Sequence, residues 1–196
     1  LQASGGLLLA VNAAGSVYAQ DKKFGADTMP GGTVDDPLVF LSIAADGTVT
    51  IVAHRAEMGT GVRTSLPMVV ADELEARWDR VKVVQAPADE ARFGNQNVDG
   101  SRSVRHFLEP MRRVGAAARQ MLEAAAAARW SVPVAEVQAV QHEVLHRATG
   151  RRFGFGELAV DAAKQKVPAT GELRLKDPAQ WRYIGKGRVG GVDMAA

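Results

Sequence analysis

An α+β fold, with a mixed sheet, one long helix and several short ones, is the architecture this sequence predicts. Three observations carry it. Residues 38–43 alternate apolar and polar side chains, Asp46-Gly47 is a strong turn signal, and residues 48–53 are rich in β-branched residues, which together read as a β-hairpin. Residues 104–129 are alanine-rich, with Leu108, Met111, Ala118, Met121, Leu122 and Ala125 at helical spacing. Short β-type runs and helical runs then alternate along the rest of the chain, giving the order β-β-α-β-α-β-β-α and one α/β or α+β domain.

The elements follow in order. Residues 64–75 place Leu66, Val69, Val70 and Leu74 on one helical face, with Pro67 expected in the first turn. Residues 81–85 read as a short strand. In the long helix Pro110 is tolerable only near the start, and the small side chains suit close packing against a sheet. Residues 136–140 and 144–146 read as two further strands, Thr149-Gly150 as a turn, 155–164 as a helix and 166–196 as a loop-rich connecting tail. No internal repeat is present.

Composition narrows the chemistry. The chain has 196 residues, 46% of them apolar and 23% charged, which suits a folded core and excludes wholesale disorder. Lys and Arg number 24 against 22 Asp and Glu, a balance that does not point to nucleic acid. Cysteine is absent. Disulfides, thiolate zinc sites, Fe–S ligation and cysteine nucleophiles therefore lie outside what these residues do. Redox or metal chemistry must come from a bound cofactor, from His and carboxylates, or from another chain.

The N-terminal stretch 1–19 contains no Asp, Glu, Lys or Arg and holds Leu7-Leu8-Leu9-Ala10-Val11, with Val17 and Ala19 at the −3 and −1 positions of a cleavage site. This reads as an export signal of the twin-arginine type, or as an anchor if it is retained; a buried helix is the plainer alternative. It is short and glycine-diluted for a membrane span. Residues 20–36 form a polar linker with Pro30-Gly31-Gly32, and 37–165 form the folded domain.

Two glycine-bearing segments precede helices. In Glu57-Met58-Gly59-Thr60-Gly61-Val62-Arg63-Thr64 the glycines let the backbone approach a ligand, and the free N–H groups of the helix start favour an anion. The segment lacks the third glycine of a dinucleotide fingerprint and the Gly-Lys-Ser/Thr of a P-loop, so a plain strand-to-helix turn also explains it. The second, Phe93-Gly94-Asn95-Gln96-Asn97-Val98-Asp99-Gly100-Ser101-Arg102-Ser103, offers amides, hydroxyls and a guanidinium able to grip phosphate. Its plainer reading is a solvated loop with Ser101 or Ser103 as helix N-cap. Together they suit one large, polar, phosphate-bearing ligand.

His142-Glu143-Val144-Leu145-His146 matches the zinc-protease pattern literally, and on a helix it would place two imidazoles on one face. Its neighbours read as a hairpin, where residues four apart are too distant to chelate one ion at ~3.3 Å per residue. Thr149 and Arg152 stand where a metzincin needs Gly and His, and nothing selects Glu157 or Glu172 as a third ligand. A zinc metallopeptidase is accordingly the least favoured alternative.

An ordered series of motifs adds a family. The run through Glu57-Met58-Gly59-Thr60-Gly61, Leu66-Pro67-Met68 and Asp72-Glu73-Leu74 resembles the molybdopterin-binding large subunits of the xanthine dehydrogenase and aldehyde oxidase superfamily. It is most similar to the exported branch of isoquinoline 1-oxidoreductase beta subunits and periplasmic aldehyde dehydrogenases. The match continues through Gln85-Ala86-Pro87-Ala88-Asp89, Gly94-Asn95-Gln96-Asn97, Gly100-Ser101-Arg102-Ser103-Val104, Thr149-Gly150-Arg151-Arg152, Leu175-Lys176-Asp177-Pro178 and Tyr183-Ile184-Gly185-Lys186. The resemblance implies that residues 37–165 belong to a molybdopterin-binding domain, with 166–196 leading to the next domain of a larger subunit.

It further implies molybdopterin cytosine dinucleotide with Mo as cofactor. Gly59, Thr60 and Gly61 would approach the pterin end, and Gln96, Gly100, Ser101, Arg102 and Ser103 would contact the pterin or its phosphates. Thr60 stands where the family usually has Gln, and its hydroxyl has less reach. The implied chemistry is hydroxylation of an aldehyde or N-heterocycle by water, the catalytic base lying outside these residues. Electrons would leave through a [2Fe-2S] small subunit, with a cytochrome c subunit carrying haem c as a further acceptor. The implied location is the periplasm, with attachment to the inner membrane. A non-catalytic docking domain of such a complex is the runner-up expectation.

Overall fold

A computed structural model describes residues 28–193; the expected signal or anchor at 1–19 lies outside them. Asp36 accepts a hydrogen bond from Leu38 N–H at 2.8 Å and caps a helical turn, α1 (Pro37–Phe40). The strand expected over 38–43 therefore starts only at Leu41, because Pro37 holds a helical φ and Asp36 satisfies the turn's free donor. That strand, β1 (Leu41–Ile43), runs antiparallel to β2 (Val49–Ala53), with Leu41 opposite Ile51. Between them Asp46 accepts from Thr48 N–H at 2.8 Å and Gly47 takes a φ of 90°, so the hairpin turn is where its sequence put it.

From β2 the chain passes into α2 (Val62–Leu74) and returns as β3 (Val81–Gln85), parallel to β2 with Val49 opposite Val81. The resulting sheet is mixed, in the order β1-β2-β3. Because α2 starts two residues before the expected position, Pro67 lies in its second turn rather than its first. A short helix not anticipated, α3 (Glu90–Phe93), follows, capped by Asp89.

The longest element is α4 (Arg102–Trp130), 29 residues in length. Pro110 sits in its third turn, deeper than expected, and is buried there with Phe107 and Met111. Residues Val114, Ala118, Leu122 and Ala125 continue the buried stripe. At Gly115 the helix meets α2 so closely that a Cβ would lie 2.5 Å from the Val70 carbonyl oxygen and 2.7 Å from Glu73 Cβ.

A second sheet, antiparallel in the order β4-β5-β6, consists of β4 (Val137–Val140), β5 (Glu143–His146) and β6 (Arg152–Gly154). The third strand was missed because only Phe153 in it is apolar, leaving no alternation to read. The last helix, α5 (Phe155–Ala162), ends two residues before the expected boundary. Its Gly156 abuts the β1–β2 turn: a Cβ there would overlap the Ala45 carbonyl and come within 2.6 Å of Gly47 N.

Beyond α5 the chain makes 3₁₀ turns at Thr170–Glu172 and Pro178–Gln180 and packs back onto α2 and α4. The fully buried Asp72 carboxylate accepts the backbone N–H groups of Arg182, Tyr183 and Ile184 at 2.9–3.1 Å and Lys176 Nζ at 2.8 Å. Burial alone would raise the Asp72 pKa; Lys176 and these amides outweigh it and hold the carboxyl below its ordinary value. Glu73, equally buried, accepts Arg112 Nε at 2.7 Å and Lys176 N–H at 3.0 Å.

Overpacking a helix contact of this kind costs about 1–3 kcal/mol. Gly115→Ala is expected to destabilise the protein by that amount in urea unfolding. Gly171→Ala, whose Cβ would meet nothing within 4 Å, is expected to change stability by less than about 0.5 kcal/mol.

Candidate functional site

The α2–α4 contact sets the starts of the two helices beside one another, and the two glycine-bearing loops that lead into them face a common groove. Its volume is about 500 Å³. Met58, Thr60 and Val62 line it from one loop, and Val98, Asp99, Gly100, Ser101, Ser103 and Val104 from the other. Four of the sequence-derived site residues, Thr60, Gly100, Ser101 and Ser103, therefore share one concavity. Gly59 and Gly61 flank it, with φ of 88° and 75° and open space where a Cβ would stand, so a ligand can reach their backbone. A larger cavity of about 790 Å³ lies at the other end of β2, around Gly47 and His142. Its charges are mostly committed within the protein: Arg152 pairs with Glu143 at 2.7 Å, Arg77 with Asp79 at 2.5 Å, and Glu157 accepts from Gly154 N–H.

The two helix starts differ electrostatically. At α2 the Glu57 carboxylate folds back to accept Gly61 N–H and Arg63 N–H, each at 3.0 Å. The amide of Arg63, with those of Gly61, Thr60 and Gly59, holds its pKa below the ordinary glutamate value despite some desolvation. The anion position expected at this helix start is thus filled by the protein's own carboxylate. Thr60 Oγ1 also turns to Glu57, at 3.4 Å. At α4 the cap residue Ser101 takes φ 54° and its side chain makes no capping bond. Beside it Arg102 pairs with Asp99 at 2.9 Å, both half-exposed, an arrangement weak enough for a stronger anion to displace.

Gln96 lies behind the loop rather than in the groove. Its Oε1 accepts Asp89 N–H at 2.6 Å and its Nε2 donates to the carbonyls of Pro87 and His54 at 2.8 and 3.1 Å. Its amide braces the segment that carries the hydroxyls.

Two residues of this region escaped the sequence reading. Arg55, 1% exposed, donates from Nε to Ser103 Oγ at 3.2 Å and from Nη1 to the Asn95 carbonyl at 2.9 Å and to Asn95 Oδ1. His54, equally buried, lies edge-on between Phe40 and Phe107 with no partner at either ring nitrogen. The available signal was the strand period: Val49, Ile51 and Ala53 face the core, and residue 55 continues that parity.

Residues 8–187 match the family described as a molybdopterin cofactor-binding domain. The chain belongs to that family. It is 33% identical over 198 residues to the isoquinoline 1-oxidoreductase beta subunit of Brevundimonas diminuta, an alignment covering 82% of this chain and 25% of that protein. It is 30% identical to a membrane-bound aldehyde dehydrogenase [pyrroloquinoline-quinone] of Gluconacetobacter polyoxogenes, over 86% of this chain and 22% of the relative. A subunit of the nicotinate dehydrogenase of Pseudomonas putida is 30% identical over 76% of this chain and 12% of its own length. The chain thus spans a quarter or less of these relatives.

Among solved structures, quinoline 2-oxidoreductase from Pseudomonas putida 86 superposes with a TM-score of 0.50 at 17% identity, over 67% of this chain and 17% of the other. The CO dehydrogenase of Oligotropha carboxidovorans gives 0.50 at 22% identity, over 69% and 17%. These likenesses concern the fold.

The groove suits the family's ligand on the geometry above. Open glycine backbone at 59 and 61 admits a flat ring system, and the hydroxyls of Ser101 and Ser103, at a helix start with no side-chain cap, suit an anionic group; the charged side chain of the lining is Asp99, and Arg102, which is not among the lining residues, neutralises it.

The zinc pattern does different work. His142 sits in the β4–β5 turn with φ 76°, its Nδ1 accepting Arg77 N–H at 3.2 Å and its Nε2 donating to the Gly47 carbonyl at 2.8 Å. His146 bonds Thr149 Oγ1 and Glu136. Among the described residues no three His, Cys, Asp or Glu side chains are grouped to hold a metal ion. The metallopeptidase alternative is withdrawn: a hairpin, not a helix, carries the pattern, and both imidazoles are bonded to protein.

Burial, reinforced by the neighbouring Arg55 charge, pushes the His54 pKa down from 6.5 to about 3. The unfolded chain therefore binds a proton below pH 6.5 that the folded chain refuses until about pH 3, and stability falls with pH across that window. The slope from one such group is about 1.4 kcal/mol per pH unit, and burial of His142 acts in the same direction. Urea unfolding at pH 7 and pH 5 is expected to show this loss in the wild type and a smaller one in His54→Phe. At pH 7 His54→Phe is expected to be neutral or stabilising, since it removes two unpaired ring nitrogens.

Proposed function

We propose that this chain is the N-terminal portion of a molybdenum hydroxylase large subunit. Its groove would hold part of a molybdopterin cytosine dinucleotide, for oxidation of an aldehyde or an N-heteroaromatic substrate with water as oxygen source. The observation that carries the reading is the convergence of the two glycine-bearing helix starts on one groove, apolar at Met58, Val62 and Val98 and hydroxyl-lined at Ser101 and Ser103.

When bound, the cofactor supplies the two-electron redox centre. The chain's own residues position it. Backbone at Gly59 and Gly61 would pack against the pterin, and Thr60, held by Glu57, would present its far side to the same end. Arg102, released from Asp99, would pair with a phosphate, while Gly100, Ser101 and Ser103 would donate to it. Gln96 would keep the segment in shape. Two of the relatives, the isoquinoline and nicotinate enzymes, are each one subunit of an oxidoreductase, which supports an assembly of several chains here. With no cysteine in this stretch, [2Fe-2S] ligation would fall to the proposed small subunit, with a haem c subunit as further acceptor. A periplasmic site attached to the inner membrane is supported by the signal-like N terminus and the membrane-bound relative. No helix among the described residues is long and apolar enough to cross a membrane.

Metal and nucleotide analysis of the complex, purified with its companion subunits, tests the reading. The expected result is molybdenum and CMP in equal amounts with the subunit. Arg102→Ala is expected to weaken retention by roughly 10- to 100-fold, as for the loss of a charge-assisted hydrogen bond. An intact complex free of molybdenum would instead make this a docking domain.

A further inference from the structure

Arg55 is a buried charge without a counter-charge. It is 1% exposed, and among the described residues no carboxylate lies within ion-pair distance of it. The two carboxylates whose fields reach it, Asp99 and Glu90, are bonded elsewhere: Asp99 to Arg102 at 2.9 Å, Glu90 to Gln96 N–H at 2.9 Å. Its hydrogen bonds go to neutral oxygens of Asn95 and Ser103, and Nη2 is buried with no partner. The Phe107 ring, 4.5 Å below the guanidinium carbon, offers the nearest compensation. A guanidinium bonded only to neutral oxygens, with one buried nitrogen left unpartnered, is unfavourable until an anion approaches it.

The position tells what the use is. Ser103, which Arg55 holds through its hydroxyl, lines the groove in the first turn of α4. Ser101 makes no side-chain cap there, and although Arg102 N–H is held by the Asp99 carbonyl at 3.1 Å, the aligned dipoles of this long helix favour an anion at its start. An anion seated there would lie one side chain away from Arg55 and would neutralise it from the groove side. Resting on the cofactor reading above, we propose that Arg55 is the buried counter-charge for a phosphate group seated at the start of α4, a positioning residue that acts on the anion through Ser103. The chemical class of the ligand group is a phosphate ester or diphosphate. Arg102 grips it from solvent; Arg55 attracts it from within the protein.

This assignment has a signature that a merely structural arginine lacks. If Arg55 only clipped Asn95 to Ser103, its loss would destabilise the empty protein. If it awaits an anion, the response to an anion is lost as well, beyond whatever its hydrogen bonds to Asn95 and Ser103 contribute to the empty protein. The full-length subunit, produced in a host unable to make molybdopterin, is therefore titrated with inorganic pyrophosphate while its Tm is followed, with sodium sulfate at matched ionic strength as the unspecific control.

The wild type is expected to rise in Tm with pyrophosphate and little with sulfate. Arg55→Met is expected to bind pyrophosphate about tenfold more weakly or worse. Arg55→Lys is expected to keep part of the response, since it keeps the charge. An Arg55→Met protein that responds to pyrophosphate as wild type does, or, where that variant does not fold, an Arg55→Lys protein whose response equals that of wild type, would overturn the proposal. So would a wild type that holds molybdenum in the assembled complex yet ignores pyrophosphate, an outcome that leaves the cofactor reading standing. Absence of molybdenum from the wild-type complex would remove both.

Discussion

The contact between α2 and α4 at Gly115 is the constraint on which the rest of the structure depends. The helix axes approach until there is no room for a methyl group between Gly115 and the Val70 carbonyl. Both loops of the candidate site lead into the two helices that meet there. The two loops lie at the same end because the helices they feed are pressed together, and the groove is the space left between their first turns. The spacing of Thr60 and Ser101, which stand just ahead of the two helices, thus follows from how those helices pack, which suits the proposed holding of a ligand in register.

The same contact obliges α2 to bury two consecutive acids. Asp72 and Glu73 face the side where α4 and the last segment of the chain meet, and both are wholly enclosed. Carboxylates so placed are tolerable only when every lone pair has a donor. Lys176, Arg112 and the backbone of 182–184 supply them. Such a network contributes less to net stability than an apolar core would, but it admits one arrangement of the final segment and few others. Residues that composition suggests are a loose tail are held by hydrogen bonds that span more than a hundred positions of sequence.

Much of the fold was legible because its signals are local. The Asp46-Gly47 turn, the strand 81–85 and the alanine-rich helix each announce themselves within a dozen residues, and the structure displaces their ends by only a few positions. What was illegible depended on partners distant in sequence. The helical turn at Pro37 overrode an alternating pattern because Asp36 caps it, and β6 is a strand only because β5 lies beside it. In the site, the glycines and hydroxyls could be read as types. That Glu57 would occupy one helix start, that Gln96 would serve the loop's backbone and that Arg55 would be interred beneath Ser103 are facts of packing. The literal zinc motif fails for the same reason: spacing along a chain implies proximity only in the secondary structure that the motif assumes.

The folded-back carboxylate of Glu57 has a directional meaning for anything that enters the groove. By occupying the α2 donors it places a fixed negative charge beside one end, while at the other end, at α4, Arg102 neutralises Asp99 and Arg55 lies beneath Ser103. The groove is therefore polar along its length in the sense that a magnet is. A molecule with an uncharged ring system at one extremity and anionic groups at the other would be repelled in one orientation and drawn in along the other. For the ligand proposed above, the direction of insertion would then be set by charge before any specific contact formed.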